Sequence, residues 1–415
     1  MNSKTRLGES WGQSGMRSEW KKYALEDVCE KIYSGGTPST KHPEYWDGNI
    51  KWLSSGETSQ RFVYDTERKI TQLGVDNSST KKATKGCTVI ATAGQGHTRG
   101  QASFLMTDTY MNQSVIACKA NEKIIDPLFL YYNLDNRYEE FRLLSDGTST
   151  RGGLSGWIVK RIEIQIPCIA EQCTIARILK SLDEKIEVNN KINKNLEEQL
   201  ASLFAHAFAD NITDATTETC PLLGDLITVI DNRGKTPPLT TEVYDYPIID
   251  VGALKGTGRI VDFNNCTKYV EQSTYATWFR SGHPQPWDIL ISTVGSLAEM
   301  KIYLGSKGCM AQNVVAFRAT SISPLYLYQY LRFIRAELVA YNIGSVQPSI
   351  KVTHIIKHPI FVPENTKLER FEVTAKAITN RLYANYNENE SLKALRDTLL
   401  PRLMSGELDI SDLDL

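Results

Sequence analysis

The chain has 415 residues, enough for two or three domains that each bury a core of their own. A formal net charge of −1 neither demands nor excludes an anionic partner, and eight scattered cysteines without a CxxC pair exclude a zinc module or a disulfide framework as the organising principle. No charged-then-apolar leader opens the sequence and no apolar run reaches the ~18 residues of a membrane span, so a cytoplasmic protein with no membrane partner is expected.

Residues 1–19 are polar and rich in glycine and serine, and a flexible extension is expected there. Residues 20–167 mix short β-branched and aromatic runs with glycine-rich turns (LEDVCEKI, SGGTPST, IKWLSS, CTVIATAG), which predicts a compact α/β or β-rich domain. The stretch 158–167 (IVKRIEIQIP) alternates toward a strand. A helix without proline or glycine is predicted from about 171 to 208, within a helical segment 168–210. Its apolar residues fit a heptad: Leu179, Ile186 and Leu200 on one seam, Ile175, Leu182, Leu196 and Leu203 on the other, with Asn193 and Asn189 in the gaps.

A polar linker, 211–219 (NITDATTET), leads into a second telling of the same plan. YMNQSVIACKA from Tyr110 answers CMAQNVVAFRA from Cys309, and DPLFLYYNL from Asp126 answers SPLYLYQYL from Ser323. The second domain is read as 220–363 and its helix as 364–408, with Phe371, Ile378, Leu392 and Leu399 on one seam and Ala375 and Leu382 on the other. Asn385 and Asn389 again fill the gaps, and an acidic tail, 409–415, follows. An asparagine buried in an apolar seam fixes register, because its amide has no partner in the wrong one; the other reading is a solvated bend. The domains 20–167 and 220–363 carry net +2 and +3, and the segments 168–210 and 364–415 carry −2 and −3, a bias that lets the globular parts face an anion but is mild enough for any soluble protein.

Catalytic signatures fail one by one. GKT at 234–236 lacks the first glycine of a phosphate loop, since position 229 is Val229. Gly94 to Gly100 (GQGHTRG) has one residue too many for a dinucleotide loop, and no βαβ pattern surrounds it. His354 and His358 lack the intervening glutamate of a zinc protease and read as strand residues. The Pro237–Pro238 pair follows Thr236, so the Asp/Asn-Pro-Pro-aromatic motif of an amino-methyltransferase is missing. Neither a catalytic residue, a metal site nor a cofactor site is expected in this chain. What recurs instead is a set of polar, glycine-rich loops: Ser34, Gly35, Gly36 and Thr37 against Arg233, Lys235 and Thr236; Thr92, Gln95, His97 and Arg99 against Thr293 and Ser296; Thr148 and Arg151 against Gln347 and Ser349. Short donors on such loops suit phosphates and base edges, with Arg99, Arg151, Arg233, Lys235 and Gln347 foremost; each loop taken singly also reads as an ordinary turn.

These blocks resemble the specificity subunit of type I restriction–modification enzymes along essentially the whole chain after residue 19. WKKYALEDVCEKIYSGGTPST from Trp20 is similar to that family's domain opening, and WLSSGE from Trp52 to its next block, which adds Ser54 and Ser55 to the candidates. KGCTVIATAG with QPWDILISTVG, NQSVIA with AQNVVA, the junction IPCIAEQCTIARILKSLDEKI and the ending LLPRLMSGELDI complete the likeness. The first helix lacks the usual proline before Gln172, which leaves its start open. The resemblance implies an α/β fold with two target-recognition domains, separated by two long antiparallel coiled-coil helices in a pseudo-twofold repeat. Each domain would read one half of a split DNA site. The helices would dock two methyltransferase subunits that bind S-adenosylmethionine, and motor subunits using ATP and Mg²⁺ would join them. Because the paired loops differ, the expected site is asymmetric. A fused restriction–methylation enzyme, which needs motifs this chain lacks, and an orphan or decoy assembly subunit are the rivals.

Overall fold

The computed structural model describes residues 20–94, 97–146, 153–408 and 410. The chain folds as two units, one running to Glu184 and resuming at Leu392, the other being Lys185–Ser391. The candidates Gln95, Thr148 and Arg151, the extension 1–19 and all of the tail but Ile410 lie outside the described residues.

The first unit begins with β1 (Lys21–Ala24), α1 (Leu25–Val28), β2 (Cys29–Ser34), β3 (Trp46–Leu53), β4 (Phe62–Val63), β5 (Arg68–Ile70), α2 (Gln72–Asp76) and β6 (Lys81–Ala83). It continues with β7 (Thr88–Ala91), β8 (Ala102–Leu105), β9 (Thr109–Met111), β10 (Val115–Ala120), α3 (Pro127–Asp135), α4 (Tyr138–Asp146), α5 (Gly156–Lys160), β11 (Glu163–Ile166) and the long α6 (Ile169–Thr213). Two sheets form, ordered β2-β10-β7-β8-β4 and β5-β3-β9-β6, while β1 pairs with β11 and so joins the two ends of the lobe. Central strand β7 buries all four of its residues, which is why it reads as an unbroken run rather than an alternating one.

The second unit repeats this plan with α7 (Leu223–Leu226), β12 (Ile227–Ile230), β13 (Tyr246–Ile249), α8 (Val251–Leu254), β14 (Tyr269–Val270), α9 (Gln272–Trp278) and β15 (Ile289–Ser292). Then come β16 (Met300–Ile302), β17 (Cys309–Met310), β18 (Val314–Ala319), α10 (Pro324–Phe333), α11 (Arg335–Ala340), α12 (Val352–Ile355) and α13 (Asn365–Met404). Its sheets are β12-β18-β15-β16 and β14-β13-β17. Register repeats as well: Val314 faces Ser292 as Val115 faces Ala91. Two stretches depart from the pattern expected of them. His354 lies on α12, not on a strand, and the stretch 158–167 is helical through Lys160 before β11 begins at Glu163. In both places a single turn of helix carries the chain from the last loop to the edge of the lobe.

Both long helices contribute to both cores. In the first unit, Ile175 and Leu179 of α6 and Leu400 and Leu403 of α13 join the lobe's core around Phe129, Tyr131 and Ile164. In the second, Leu200, Phe204, Phe208 and Ile212 of α6 and Phe371 and Ala375 of α13 pack with Phe317 and Tyr326. The strict heptad fails at this end: Leu203 is exposed and Phe204 is buried. An α-helix turns every 3.6 residues, so a 3.5-residue seam drifts, and here the lobe captures the i, i+4 row instead. At the other end α6 starts at Ile169, and buried Gln172 holds that start. Its amide donates to the Ile124 and Pro167 carbonyls (3.1 and 2.9 Å) and its oxygen accepts from the Asp126 N–H (2.9 Å). Among the described residues no helix is long and apolar enough to cross a membrane.

Candidate nucleic-acid interface

The clearest candidate surface is a cleft of about 620 Å³ in the second unit. Three of its walls are loops singled out in the sequence, contributing Thr236, Ser296 and Gln347, and the turn before β18 contributes Gln312 and Asn313. Gln312 fastens the first loop: its Oε1 accepts from the Gly234 N–H (2.7 Å) and its Nε2 donates to the Lys235 carbonyl (2.5 Å). The Gly295 N–H donates to the Pro348 carbonyl (2.9 Å), which ties the second loop to the third. Asp250 also lines the cleft, but its carboxylate caps α8 by accepting from the Gly252 N–H (2.8 Å). Lys255 and Lys268, both exposed, complete the lining. The result is a cleft of mixed lining, with polar loop residues beside Leu239, Ile248 and Val294, flanked by two lysines, an arrangement that suits a phosphate backbone with base edges presented beside it.

The first unit fastens its corresponding loop with an equivalent glutamine. Gln113, the counterpart of Gln312, accepts at Oε1 from the Thr37 hydroxyl (2.5 Å). Gly35 and Gly36 are glycines for an internal reason: a Cβ on either would lie 1.9 Å from the Met111 carbonyl oxygen or 2.2 Å from the Ser79 hydroxyl. Gly36 is buried and its N–H donates to the Met111 carbonyl (3.0 Å), so its backbone faces the lobe rather than a partner. A separate cleft of about 610 Å³ along β2, lined by Lys31, Lys81, Lys82, Lys160 and Tyr33, was not anticipated from the sequence.

Several sequence candidates prove to be structural. Thr92 and Thr293 are buried at matching positions, their N–H groups donating to the Ser114 and Asn313 carbonyls (both 2.8 Å) and their carbonyls accepting from Leu154 (3.0 Å) and Ile350 (2.8 Å). Arg99 is engaged by Asp146, and Ser54 caps a 3₁₀ turn with Glu57 (3.0 Å) beside half-buried Ser55. Arg233 folds back on Asp231 (2.6 Å); against partial burial, which pulls the other way, that guanidinium holds the carboxyl below its usual range. Ser349 is pinned by its N–H donating to Asn342 (2.9 Å). Ser34, Thr37, His97, Lys235, Thr236 and Gln347 are exposed, and Ser296 is half-buried in the cleft. Lys255 and Lys268 were missed because each sits singly on a connecting loop, where nothing in the sequence separates it from any other surface lysine.

The seam asparagines meet within the second unit. Asn189 donates to Asn389 Oδ1 (2.9 Å) and to Glu388 (2.8 Å), Asn389 donates to Asn190 (2.9 Å), and Asn385 donates to Asn193 (2.7 Å). Residue numbers rise along α6 as they fall along α13, so the segments are antiparallel. The Asn189 amide, followed by Lys185, holds the exposed Glu388 carboxyl below its usual range. Asn190 and Glu388 are partners the heptad reading did not reveal, since they flank the seam rather than occupy it. Asn389→Leu is expected to cost about 1–3 kcal/mol, because Asn189 and Asn190 lose a buried partner. The double variant Asn189→Leu/Asn389→Leu should regain much of that loss. Denaturant unfolding of the four proteins checks this, and additive losses would mean the two amides do not act as a pair.

Residues 17–198 match the family model described as the type I restriction modification DNA specificity domain. The MjaIX specificity subunit of Methanocaldococcus jannaschii is 24% identical over 95% of both chains. The HindI specificity subunit of Haemophilus influenzae is 21% identical over 94% of this chain and 100% of its own. The EcoR124I/EcoR124II specificity subunit of Escherichia coli is 28% identical over 44% of each. Among solved structures, a type I restriction–modification S subunit from M. genitalium shares the fold with a TM-score of 0.55 at 17% identity, covering 95% of this chain and 98% of that one. A duplicated lobe, a long helix after each copy, and likeness over nearly the whole length make type I restriction–modification specificity subunits the proteins that this chain resembles in sequence and in fold.

Proposed function

We propose that each lobe reads one half of a bipartite, asymmetric DNA site, with the long helices setting the spacing between the half-sites and docking two methyltransferase subunits. S-adenosylmethionine, ATP and Mg²⁺ belong, in this reading, to those methyltransferase and further motor subunits, and this chain supplies sequence choice. One observation carries the proposal. Equivalent glutamines, Gln113 and Gln312, hold equivalent loops in place, while the exposed residues those loops present differ between the lobes. A shared frame with unlike contents is what reading two different half-sites requires.

The cleft gives the test. Lys255→Ala/Lys268→Ala removes two candidate phosphate contacts and should weaken DNA binding by the assembled complex regardless of sequence, lowering the slope of log K against log salt by about 2. Gln347→Ala should instead cost about 1–3 kcal/mol of discrimination at one base pair of the second half-site. Titrations against matched and mismatched duplexes at several salt concentrations separate the two effects. An unchanged salt slope together with unchanged discrimination would remove the cleft from the interface.

A further inference from the structure

Each lobe inserts one arginine between its own helix and the long helices, half-buried Arg61 in the first and buried Arg259 in the second, and the two insertions are charged differently. Arg61 and Arg259 are counterparts: the carbonyl of Arg61 accepts from the Phe104 N–H (2.8 Å) beside β8, and that of Arg259 from the Ile302 N–H (2.6 Å) beside β16. In the first unit Arg61 pairs with Asp135 at the end of α3 (2.9 Å) and with Asp183 of α6 (3.3 Å). Asp183, 3% exposed, also accepts from the Tyr132 hydroxyl (2.8 Å) and from Arg396 of α13 (2.8 Å). Two cations thus balance two carboxylates.

In the second unit the guanidinium of Arg259 is wholly buried, and it donates to both oxygens of Glu197 on α6 (3.0 and 2.7 Å) and to the Thr379 hydroxyl on α13 (3.0 Å). Arg332 of α10 reaches the same Glu197 at 3.2 Å. Arg332 stands in SPLYLYQYLR where Asp135 stands in DPLFLYYNLD, and Thr379 stands in α13 where Asp183 stands in α6. The sign of the lobe's residue is therefore reversed, and the helix residues facing it are changed to suit.

We infer that Asp135 and Arg332, each beside its lobe's inserted arginine, form a charge key that positions each lobe on the helices and admits only the lobe that belongs there. The first lobe in the second place would set Asp135 against Glu197, and the second lobe in the first place would set Arg332 against Arg396. Both bring a half-buried key residue against a like charge on the long helices, the repulsive element that selectivity needs. Residues acting this way are positioning residues and touch no DNA.

The test needs no DNA, so its outcome is independent of the recognition proposal. A full-length chain is made in which a second copy of residues 20–167 replaces 220–363, and hydrogen exchange during thermal melting follows each lobe. Asp135→Arg in the transplanted copy should raise that lobe's melting by about 5 °C or more, whereas the same substitution in the first lobe's own place should lower it by a similar amount. Arg332→Asp in the unaltered chain should lower melting of the Lys185–Ser391 unit alone. A shift of the same sign in both places overturns the inference. So does a transplanted lobe that stays unfolded with either residue, since charge at this position would then not be what assigns the lobe.

Discussion

A chain carrying Glu197→Ala is expected to lose about 3–5 kcal/mol of stability in its Lys185–Ser391 unit, the cost of leaving a buried cation without its counterion. The carboxylate is 8% exposed and is bound by both Arg259 and Arg332, so its removal leaves two guanidiniums facing a hydroxyl and an aromatic ring. A third cation lies close by. Burial, and after it Arg332, push the Lys301 ammonium down to about 8, and it is held by the Gly256 and Gly258 carbonyls. Water cannot reach Arg259 without the lobe moving, so the loss should appear as early unfolding rather than local rearrangement. The paired variant Glu197→Leu/Arg259→Met should recover most of it, because a buried ion pair replaced by apolar side chains of similar size is often close to neutral. Denaturant unfolding of single and double variants measures the difference. A loss under 1 kcal/mol for Glu197→Ala would show that the site is wetter than the structure indicates.

The sequence made the duplicated plan readable through short blocks whose physics is local. TVIATAG and ILISTVG read as buried strands because β7 and β15 bury every residue, whereas the polar stretch 211–219 marked the helix end only to within a turn, since α6 runs on to Thr213 and buries Ile212. What it concealed depends on contacts distant along the chain. Nothing near Arg259 points to Glu197, 62 residues earlier, and the reversal of sign between Asp135 and Arg332 acquires meaning only once each is seen beside its lobe's inserted arginine. The same limit acts on the loops. Thr92 and Thr293 offer the donors a DNA reader needs, yet their place at the end of a central strand draws them into the lobe. Leu203 was assigned to the seam by a period that the lobe's packing overrides at Phe204. Strand and helix identity are set within a few residues, whereas whether a polar side chain faces core or solvent is set by the fold.

Replacing residues 20–167 with the corresponding lobe of another specificity subunit is expected to change one half of the methylated sequence completely and leave the other half as it was. The lobe is a suitable unit for exchange because β1 pairs with β11, bringing its two ends together on a single two-stranded sheet. Its remaining attachment to the long helices runs through the core around Ile175 and Leu403 and through Arg61, so the incoming lobe must carry an arginine–acid pair that suits Asp183 and Arg396. Methylated-base sequencing of DNA modified by the reconstituted complex reads both halves in one experiment. A change in both halves would mean that the lobes do not read independently, and a change in neither would move recognition out of the lobe altogether. A loss of all methylation that is restored by returning Asp135 and its neighbours to the incoming lobe would separate docking from reading. Discrimination of about 1–3 kcal/mol per well-read base accumulates quickly over a half-site, so the switch between sequences should be close to complete.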